Sequence, residues 1–354
     1  MAYTNIDDPS AFFQTLLWTG NDVDGRALTN DGNSDLQPDL VWLKNRNAGY
    51  NHFLVDSSRG TSVYLSSNTT TADTTWTNLV ESFDTDGFTV GDDGSQVPNH
   101  TGNTFVGWQW KANGGTTASN SDGSKTATVQ ANQDAGFSIV TYAGSGSAST
   151  VGHGLADTPD VIIFKNRSAA NVWATYHQGL GNNLKLELNS TNAQDSDGSF
   201  MNGTLPTSSV FTVGASVNTN GSGSNYVAYA FAEKQGYSKF GKYVGNGNAN
   251  GPFIYTGFKP AFILFKKSSD SGDNWMMYDN KRSDSNGNVV DRALHPNSNA
   301  AEYDNANANL DILSNGFKLR SSFGWVNQNT HTYIYMAFAE NPFVTSTGIP
   351  TTAR

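Results

Sequence analysis

The stretch Pro38-Asp-Leu-Val-Trp-Leu-Lys44 decides the fold, because it recurs twice along the chain. The later copies are Pro159-Asp-Val-Ile-Ile-Phe-Lys165 and Pro260-Ala-Phe-Ile-Leu-Phe-Lys266. Near-continuous apolar runs of this length are typical of central β-strands that are covered on both faces. The proline marks where each strand can begin, since proline has no N–H to donate to a sheet. A strand repeated three times indicates three copies of one structural unit.

Four further motifs surround this strand in the same order in each copy. They are an aromatic residue two places before a glycine (Trp18, Tyr142, Tyr243), a second strand (52–56, 173–177, 275–279), an alternating strand around a phenylalanine (Phe88, Phe211, Phe317) and a closing aromatic strand (104–110, 225–231, 332–338). Chance similarity within a low-complexity sequence could explain any single motif. Five motifs in one order, three times, indicate a true repeat.

The alternating strand follows a turn that differs between copies. Asp86-Gly87 and Asn315-Gly316 are strong signals for a tight turn, whereas the middle copy has Ser209-Val210 at this point. We therefore expect the turn of the middle copy to have a different structure.

Composition supports short strands joined by turns. The chain has 354 residues, with 36 glycines, 36% hydrophobic residues, 12% aromatic residues and only 15% charged residues. Glycine and asparagine accept the backbone angles of tight turns, and the aromatic side chains can fill cores. The predicted fold is all-β, with three tandem β-sandwich repeats of a lectin-like or jelly-roll-like type, short strands and long polar loops.

The motifs also predict the domain boundaries. We expect an N-terminal arm, repeat 1, a linker rich in Gly, Ser, Thr and Asn, repeat 2, repeat 3 and a C-terminal tail, at residues 1–11, 12–112, 113–135, 136–235, 236–343 and 344–354. The linker accounts for the longer interval between the first two copies, from Pro38 to Pro159, than between the last two, from Pro159 to Pro260.

Charge and cysteine content exclude several classes of function. The formal net charge is −10 and no cluster of Lys or Arg is present, so nucleic acid is not an expected partner. The chain has no cysteine, which excludes disulfides and thiolate metal sites. The start of the chain does not resemble a secretory signal and the apolar runs have the length of strands, so membrane insertion is not expected.

The polar residues do not form a recognisable catalytic or metal site. The six histidines lack metal-ligand spacing and no nucleophile motif is present, so we do not expect an enzyme. Glu187, Glu233 and Glu340 keep a polysaccharide depolymerase open as a minor alternative, because sugar cleavage commonly uses two carboxyl groups. The aspartates at positions 84, 86, 92 and 93 leave calcium binding open, although the spacing of a known calcium loop is absent.

Four aromatic residues in polar loops are the candidate ligand-binding residues. They are Trp76, Phe200, Tyr303 and Trp325. Exposed rings stack on the faces of sugars while neighbouring amides bond the hydroxyls. The alternative is that these rings fill contacts between repeats.

Several stretches resemble a family of tandem-repeat proteins encoded by phages of marine bacteria and described as virion structural, tail or fibre proteins. They are the Pro38–Lys44 strand, Asp56-Ser-Ser-Arg-Gly60, Val151-Gly-His-Gly-Leu155 and Ala337-Phe-Ala-Glu-Asn-Pro-Phe343. The third copy departs from the pattern, with Ala261 where the others have Asp39 and Asp160.

The resemblance implies a virion protein that is assembled in the host cytoplasm and released by lysis. The leading interpretation is a tail fibre or tail-associated protein that binds a host-surface glycan or receptor. The alternative is a capsid decoration or baseplate protein that contacts only other virion proteins. A homo-oligomer, specifically a trimer, is expected in either case because virion fibres are commonly trimeric.

Overall fold

The structure, a computed structural model, describes residues 2–92, 94, 98–283, 288–304 and 307–351. These residues form an almost entirely β fold, with one 3₁₀ turn at Pro9–Ala11 and one short helix, α1, at Gly324–Asn327. The predicted all-β sandwich class is confirmed.

The described residues of repeat 1 form nine strands. They are β1 Phe13–Thr19, β2 Arg26–Leu28, β3 Leu40–Asn45, β4 Phe53–Asp56, β5 Val63–Tyr64, β6 Thr74–Thr75, β7 Ser82–Asp84, β8 Gly87–Val90 and β9 Thr104–Trp110. The main sheet has the antiparallel order β1-β9-β3-β4, and a smaller sheet has the order β2-β8-β7. Every residue of the central strand β3 is buried, as its apolar run predicted.

Repeat 2 follows the same plan with two extra strands at its start. Its strands are β10 Ala118–Asn120, β11 Ala127–Asn132, β12 Phe137–Ala143, β13 Ser149–Gly152, β14 Val161–Asn166, β15 Ala174–His177, β16 Leu184–Glu187, β17 Asp195–Ser196, β18 Val210–Val213 and β19 Asn225–Phe231. The main sheet has the order β10-β11-β12-β19-β14-β15-β16-β17, and β13 pairs with β18.

Repeat 3 closes the chain with a third version of the plan. Its strands are β20 Ser238–Val244, β21 Phe253–Tyr255, β22 Phe258–Lys267, β23 Met276–Asp279, β24 Arg292–Ala293, β25 Tyr303–Asp304, β26 Leu310–Leu313, β27 Gly316–Leu319 and β28 Thr332–Pro342. The main sheet has the order β20-β28-β22-β23, and the smaller sheet has the order β21-β27-β26. Strand β22 begins before Pro260, which lies at a shift in register where its missing N–H is tolerated.

Each repeat is a two-layered sandwich with its own core. The inner core lies between the main and smaller sheets and is centred on Phe88 in repeat 1, Phe211 in repeat 2 and Phe317 in repeat 3. The other face of each main sheet is also apolar, because residues on opposite faces alternate along a strand. The three opposite faces meet in one further core.

This shared cluster, which we call the axial core, joins all three repeats. It includes Phe13, Trp110, Phe137, Phe231, Phe240 and Phe338. The last aromatic residues of the equivalent strands β9, β19 and β28 form a ring of three. The centroid of Trp110 lies 6.4 Å from that of Phe231 and 5.7 Å from that of Phe338, and Phe231 and Phe338 are 5.8 Å apart. The repeats are therefore arranged as a closed ring, in which repeat 3 contacts repeat 1.

Backbone hydrogen bonds at equivalent positions close this ring. The N–H of Asp73 donates to the carbonyl of Arg167, that of Gln194 to Ser268, and that of Glu302 to Arg46. These bonds run from repeat 1 to 2, from 2 to 3, and from 3 to 1. At all three contacts, the equivalent N–H therefore donates to the equivalent carbonyl of the next repeat in the ring.

Ring N–H donors at equivalent positions join the same pairs of repeats in the opposite direction, from each repeat to the preceding one. The indole N–H of Trp173 donates to the carbonyl of Ser66 at 2.9 Å, and that of Trp275 to Glu187 at 3.0 Å. At the third contact His52 replaces tryptophan, and its Nε2 lies 2.9 Å from the carbonyl of His295. The Nε2 of His52 is the donor there, since its Nδ1 accepts from the indole of Trp42.

The three lysines that end the repeated central strands are buried and bond carbonyl groups. The Nζ of Lys44 donates to Tyr50 at 2.7 Å and to Asn299 of repeat 3 at 3.1 Å. The Nζ of Lys165 donates to Thr70 of repeat 1 at 2.8 Å. Burial lowers the pKa of Lys44 to about 7 and that of Lys165 to about 8.

Residues 113–135 were predicted to be a linker, but the structure shows two strands there. Strand β11 pairs with β12 over Thr128 to Asn132, and β10 pairs with β11. The Gln130 amide also bonds the hydroxyls of Ser57 and Ser58 in repeat 1, both at 2.9 Å. The composition of the segment indicated flexibility, while its pairing with an existing strand edge imposes order.

The turn before the alternating strand differs in the middle repeat, as expected. In repeats 1 and 3, Gly87 and Gly316 begin β8 and β27 after two-residue hairpin turns. A Cβ at either glycine would lie 2.0 or 2.1 Å from a backbone oxygen of the neighbouring strand. Repeat 2 has Val210 at this position, and its smaller sheet contains only β13 and β18.

Candidate functional site

Two of the four predicted aromatic residues come together in repeat 3. The centroid of Tyr303 lies 5.2 Å from that of His295, and the centroid of Trp325 lies 5.4 Å from it on another side. Phe323 extends the group, at 5.1 Å from Trp325, and is 37% exposed. We call these four residues the aromatic cluster.

The cluster is built on short elements that are held firmly. Trp325 lies on α1, whose amides at Val326 and Asn327 donate to the carbonyl of Phe323 at 3.0 and 2.8 Å. The Asn327 side chain is buried and donates to carbonyls of Asn248 and Ser321, both at 2.8 Å. These bonds fix the direction in which the two rings of this segment point.

His295 anchors the cluster to the interface between repeats 3 and 1. Its Nδ1 donates to the carbonyl of Trp275 at 2.7 Å, and its own carbonyl accepts from His52 of repeat 1. Burial lowers the pKa of His295 to about 4, so the imidazole is neutral at pH 7. The cluster is therefore an uncharged aromatic surface with one exposed edge.

Sequence reasoning identified Tyr303 and Trp325 and missed His295 and Phe323. His295 was treated as one of several scattered histidines, because its distance from Trp325 depends on the fold of repeat 3. Phe323 had a local signal, since it lies two residues before Trp325 in the same polar loop.

Trp76 belongs to a different environment, in repeat 1. Its ring lies edge-on to Phe53 at 5.8 Å and 6.1 Å from Tyr64. It is half-buried and packs against the inner core of repeat 1. The structure does not bring Trp76 together with the aromatic cluster.

The prediction that Phe200 is an exposed loop aromatic is wrong. Phe200 is fully buried, and its centroid lies 5.5 Å from that of Phe164 within the core of repeat 2. Its backbone N–H donates to the carbonyl of Asp197, forming a turn from which the ring enters the core. Burying this ring removes a large apolar surface from water, which outweighs the polar character of the surrounding loop.

The histidines bond mainly to backbone groups. His153 and His177 donate from Nε2 to the carbonyls of Thr207 and Tyr335 at 3.1 and 3.0 Å. Burial lowers the pKa of both rings, to about 4 for His177. His100 contacts Asp22, and His331 lies 3.1 Å from the hydroxyl of Ser269.

The three glutamates considered for catalysis lie in salt bridges or local hydrogen bonds. Glu233 contacts Lys239 at 2.5 Å, and Glu340 contacts Lys259 at 2.6 Å. Glu187 accepts from the amide of Asn192 and lies 3.7 Å from Lys185. Lys185 and Lys259 lie in the same repeats as Glu187 and Glu340, whereas the Glu233–Lys239 pair joins repeat 2 to β20 of repeat 3.

Two of the aspartates considered for calcium, Asp84 and Asp86, bond protein groups through their side chains. Asp84 accepts from the hydroxyls of Ser82 and Thr89, and Asp86 accepts from the N–H of Leu36. Asp93 lies outside the described residues. In the part of the chain that the structure describes, no group of three or more His, Cys, Asp or Glu residues could hold a metal ion.

Comparison with known protein families identifies the family of the chain. A family model described as a domain of unknown function, DUF7483, matches residues 8–342. The chain belongs to the DUF7483 family. The match spans all three repeats of this chain. No curated protein and no solved structure matches the chain.

Among the described residues, no helix has the length and apolar character needed to cross a membrane.

Proposed function

We propose that this DUF7483 protein is a non-enzymatic structural protein of a virus particle. In this proposal it is a tail fibre or tail-associated protein that binds a host-surface glycan or receptor through the aromatic cluster. The resemblance of the repeat motifs to tail and fibre proteins of phages supports the virion location. The closed ring supports a structural role, since one chain forms a unit in which every repeat contacts the other two.

The aromatic cluster is the observation that carries the binding proposal. Its imidazole is neutral and donates to the carbonyl of Trp275, the helix that carries Trp325 is anchored by the Asn327 side chain, and Phe323 is exposed at the edge. Rigid aromatic side chains lose little conformational entropy on binding and provide large contact area. Ring faces of this kind can stack on the apolar face of a sugar.

Several such units on one particle would strengthen weak binding. Multivalent attachment can raise overall affinity by roughly 10²–10⁴ when the geometry allows simultaneous contacts. We propose a homotrimer for this reason and because virion fibres are commonly trimeric. Light scattering of the purified protein would test it, since one chain has a mass of 38.0 kDa.

A second candidate, a capsid decoration or baseplate protein, is favoured by a different surface. The smaller sheet of repeat 3 ends at β21, where Phe253 is 43% exposed and Tyr255 is 54% exposed. An edge strand with free backbone groups and exposed rings is suited to pairing with another protein. In this alternative the partners are other virion proteins only.

Localisation on intact particles separates the two candidates. Cryo-electron microscopy of virions, with gold-labelled antibodies against repeat 3, would show label at the tail for the leading proposal. Label over the head would establish the decoration alternative. Absence of label from every particle would overturn the virion proposal itself.

A binding assay tests the aromatic cluster directly. Trp325→Ala should weaken binding of the purified protein to envelope polysaccharide of the host bacterium about tenfold or more. Trp76→Ala is the matched control, since it removes another half-buried tryptophan from a different repeat. Equal binding by the wild type and Trp325→Ala, with both proteins folded, would remove the cluster from the proposal.

A further inference from the structure

The sequence contains seven Asn-Gly pairs, a chemically reactive combination. Six of them begin within the described residues, at Asn113, Asn202, Asn220, Asn246, Asn250 and Asn315, and the seventh, at Asn286, lies outside them. Asparagine loses its side-chain amide most readily before glycine, because glycine has no Cβ to hinder the approach of its backbone nitrogen to the asparagine Cγ. The sequence alone does not separate the six pairs.

Hydrogen bonding of the glycine N–H separates five pairs from the sixth. The glycine nitrogen must lose its proton and bond the asparagine Cγ, so an N–H that donates to another group is held away from this reaction. The acceptors are the carboxylate of Asp39 for Gly114, the hydroxyl of Tyr226 for Gly221, and the carbonyls of Asn327 and Leu319 for Gly247 and Gly251. Gly316 lies opposite Leu313 in the β26–β27 hairpin, in a register where opposite residues exchange hydrogen bonds.

Gly203 is the exception among these pairs. Within the part of the chain that the structure describes, its N–H has no hydrogen-bond acceptor, and the side-chain amide of Asn202 has no partner. Asn202 is also exposed, so its side chain can rotate until the Cγ faces the glycine nitrogen. Both reacting groups of this pair are therefore unrestrained by other contacts.

The local turn explains why this pair is open. Asn202 and Gly203 have φ angles of 53° and 62°, and the N–H of Thr204 donates to the carbonyl of Met201 at 3.1 Å. Positive φ at both central residues defines a type I′ turn, for which Asn-Gly is a preferred sequence. The bond that closes the turn uses the N–H of Thr204 and leaves that of Gly203 unused.

Asn250 provides a contrast within the same chain. It is exposed as well, and its side-chain amide has no partner among the described residues. The two pairs differ at the glycine, because the N–H of Gly251 donates to Leu319 at 3.1 Å. A difference in reactivity between Asn202 and Asn250 would thus report on this bond.

We propose that Asn202 is a site of spontaneous deamidation in the folded protein. The nitrogen of Gly203 bonds the Cγ of Asn202, the bond from Cγ to the side-chain nitrogen breaks, and ammonia leaves with the proton of the glycine. Water then opens the resulting five-membered succinimide at either carbonyl, which leaves aspartate or isoaspartate at position 202. The net reaction exchanges water for ammonia.

The product changes repeat 2 in two ways. It adds one negative charge at neutral pH to a chain whose formal net charge is −10. Isoaspartate also lengthens the main chain by one methylene group directly after Phe200 and Met201, which are fully buried in the core of repeat 2. Because cores are closely packed, we expect the modified turn to disturb this packing. The site is separate from the aromatic cluster and does not depend on a virion location.

Peptide mapping of the full chain by mass spectrometry tests this site. After incubation at neutral pH, Asn202 should deamidate at least about tenfold faster than Asn250 in the folded protein. In guanidinium chloride the two asparagines should react at similar rates, since neither glycine N–H is then held in a hydrogen bond. Loss of the difference on unfolding shows that the fold selects Asn202.

Two variants test the role of the glycine nitrogen. Gly203→Ala places a Cβ beside this nitrogen and should slow the reaction at Asn202 about tenfold or more, with Asn250 unchanged. Asn202→Gln serves if Gly203→Ala does not fold, because the longer side chain must close a six-membered ring and should react more slowly to a similar extent. Equal rates at Asn202 and Asn250 in the folded protein overturn the proposal. A rate at position 202 that neither variant lowers also overturns it.

Discussion

The contact from repeat 1 to repeat 2 and the contact from repeat 2 to repeat 3 occupy equivalent positions but use different chemistry. In the first, the buried carboxylate of Asp56 binds the guanidinium of Arg59 and accepts from the hydroxyl of Tyr229 at 2.7 Å. In the second, neutral His177 donates to the carbonyl of Tyr335, and Leu180 lies where repeat 1 has Arg59.

The third contact, from repeat 3 to repeat 1, resembles the first. Asp279 binds the guanidinium of Arg282 at 2.6 Å and accepts from the indole N–H of Trp108 at 3.0 Å. At both contacts, a second carboxylate joins this arginine to an arginine of the next repeat. Asp73 joins Arg59 to Arg167, and Glu302 joins Arg282 to Arg46.

The comparison shows which interactions the ring requires and which can be exchanged. All three contacts keep the backbone hydrogen bond and the apolar faces, whereas only two keep the buried ion pairs. Replacing a whole buried ion pair with neutral groups can be neutral in stability, but removing one partner leaves an uncompensated charge. Single substitutions should therefore affect the three contacts unequally.

The largest effect is expected from removing one carboxylate. Asp56→Ala or Asp279→Ala should lower the free energy of unfolding by about 3–5 kcal/mol, because the arginine beside it is fully buried. Urea titration measures this, with exposed Asp35→Ala as the control. A loss below about 1 kcal/mol would show that the ion pairs contribute little to the ring.

Removing a lysine that bonds across the ring should have the next largest effect. Lys44→Met keeps the volume but leaves the carbonyls of Tyr50 and Asn299 without this donor, so we expect a loss of about 2–3 kcal/mol. Exposed Lys242→Met should change stability by less than about 0.5 kcal/mol. An equal effect of both substitutions in thermal unfolding would contradict the role of Lys44 in closing the ring.

Acid should weaken the histidine contact selectively. The pKa of His177 falls from 6.5 to about 4 on folding, so the unfolded chain binds a proton that the folded protein excludes. The stability that neutral His177 contributes is fully present above pH 6.5 and is lost as the pH falls toward 4. The free energy of unfolding should therefore fall by about 2 kcal/mol between pH 7 and 5.

The variant His177→Gln isolates this contribution. It should show a shallower loss of stability between pH 7 and 5 than the wild type in urea titrations at each pH. An unchanged slope would place the acid sensitivity elsewhere, with His295 as the next group to substitute, since its pKa is also lowered to about 4.

The smallest effect is expected from adding, at the contact between repeats 2 and 3, the ion pair that the contact between repeats 3 and 1 forms through Glu302 and Arg46. Gln194→Glu with Ser268→Arg places in repeats 2 and 3 the residue types found at the equivalent Glu302 and Arg46. A double-mutant cycle should give a favourable coupling within about 1 kcal/mol, because such partly exposed pairs are weak. An unfavourable coupling would show that the two introduced charges do not pair at this contact, whereas a steric cost of the arginine would appear in the single variant Ser268→Arg.

Much of the fold could be predicted because its signals are local. The apolar run from Pro38 to Lys44 identified a central strand, and the Asp86-Gly87 turn identified the hairpin before β8. Recurrence of these motifs established three sandwiches. The segment 113–135 was misread because strand pairing at β11 depends on the free edge of β12, which composition does not reveal.

The candidate site was predictable only in part. Tyr303 and Trp325 were predicted to be loop aromatics, whereas the structure places them on β25 and α1. Their common neighbour His295 was not among the predicted residues. Phe200 was misplaced because a polar loop hides whether one of its rings turns inward.

The sequence by itself determined the repeat, the strands, their turns and the sandwich class, because each rests on the order of residues within one short segment. Only the tertiary structure decided that the three sandwiches close into a ring, with a shared core, cyclic polar contacts and a cavity of about 210 Å³ between repeats 3 and 1. Those features join residues as far apart as Lys44 and Asn299, and such contacts depend on how complete faces pack. A change from aspartate to Ala261 is minor in the sequence, yet in the ring it forms part of a cavity wall.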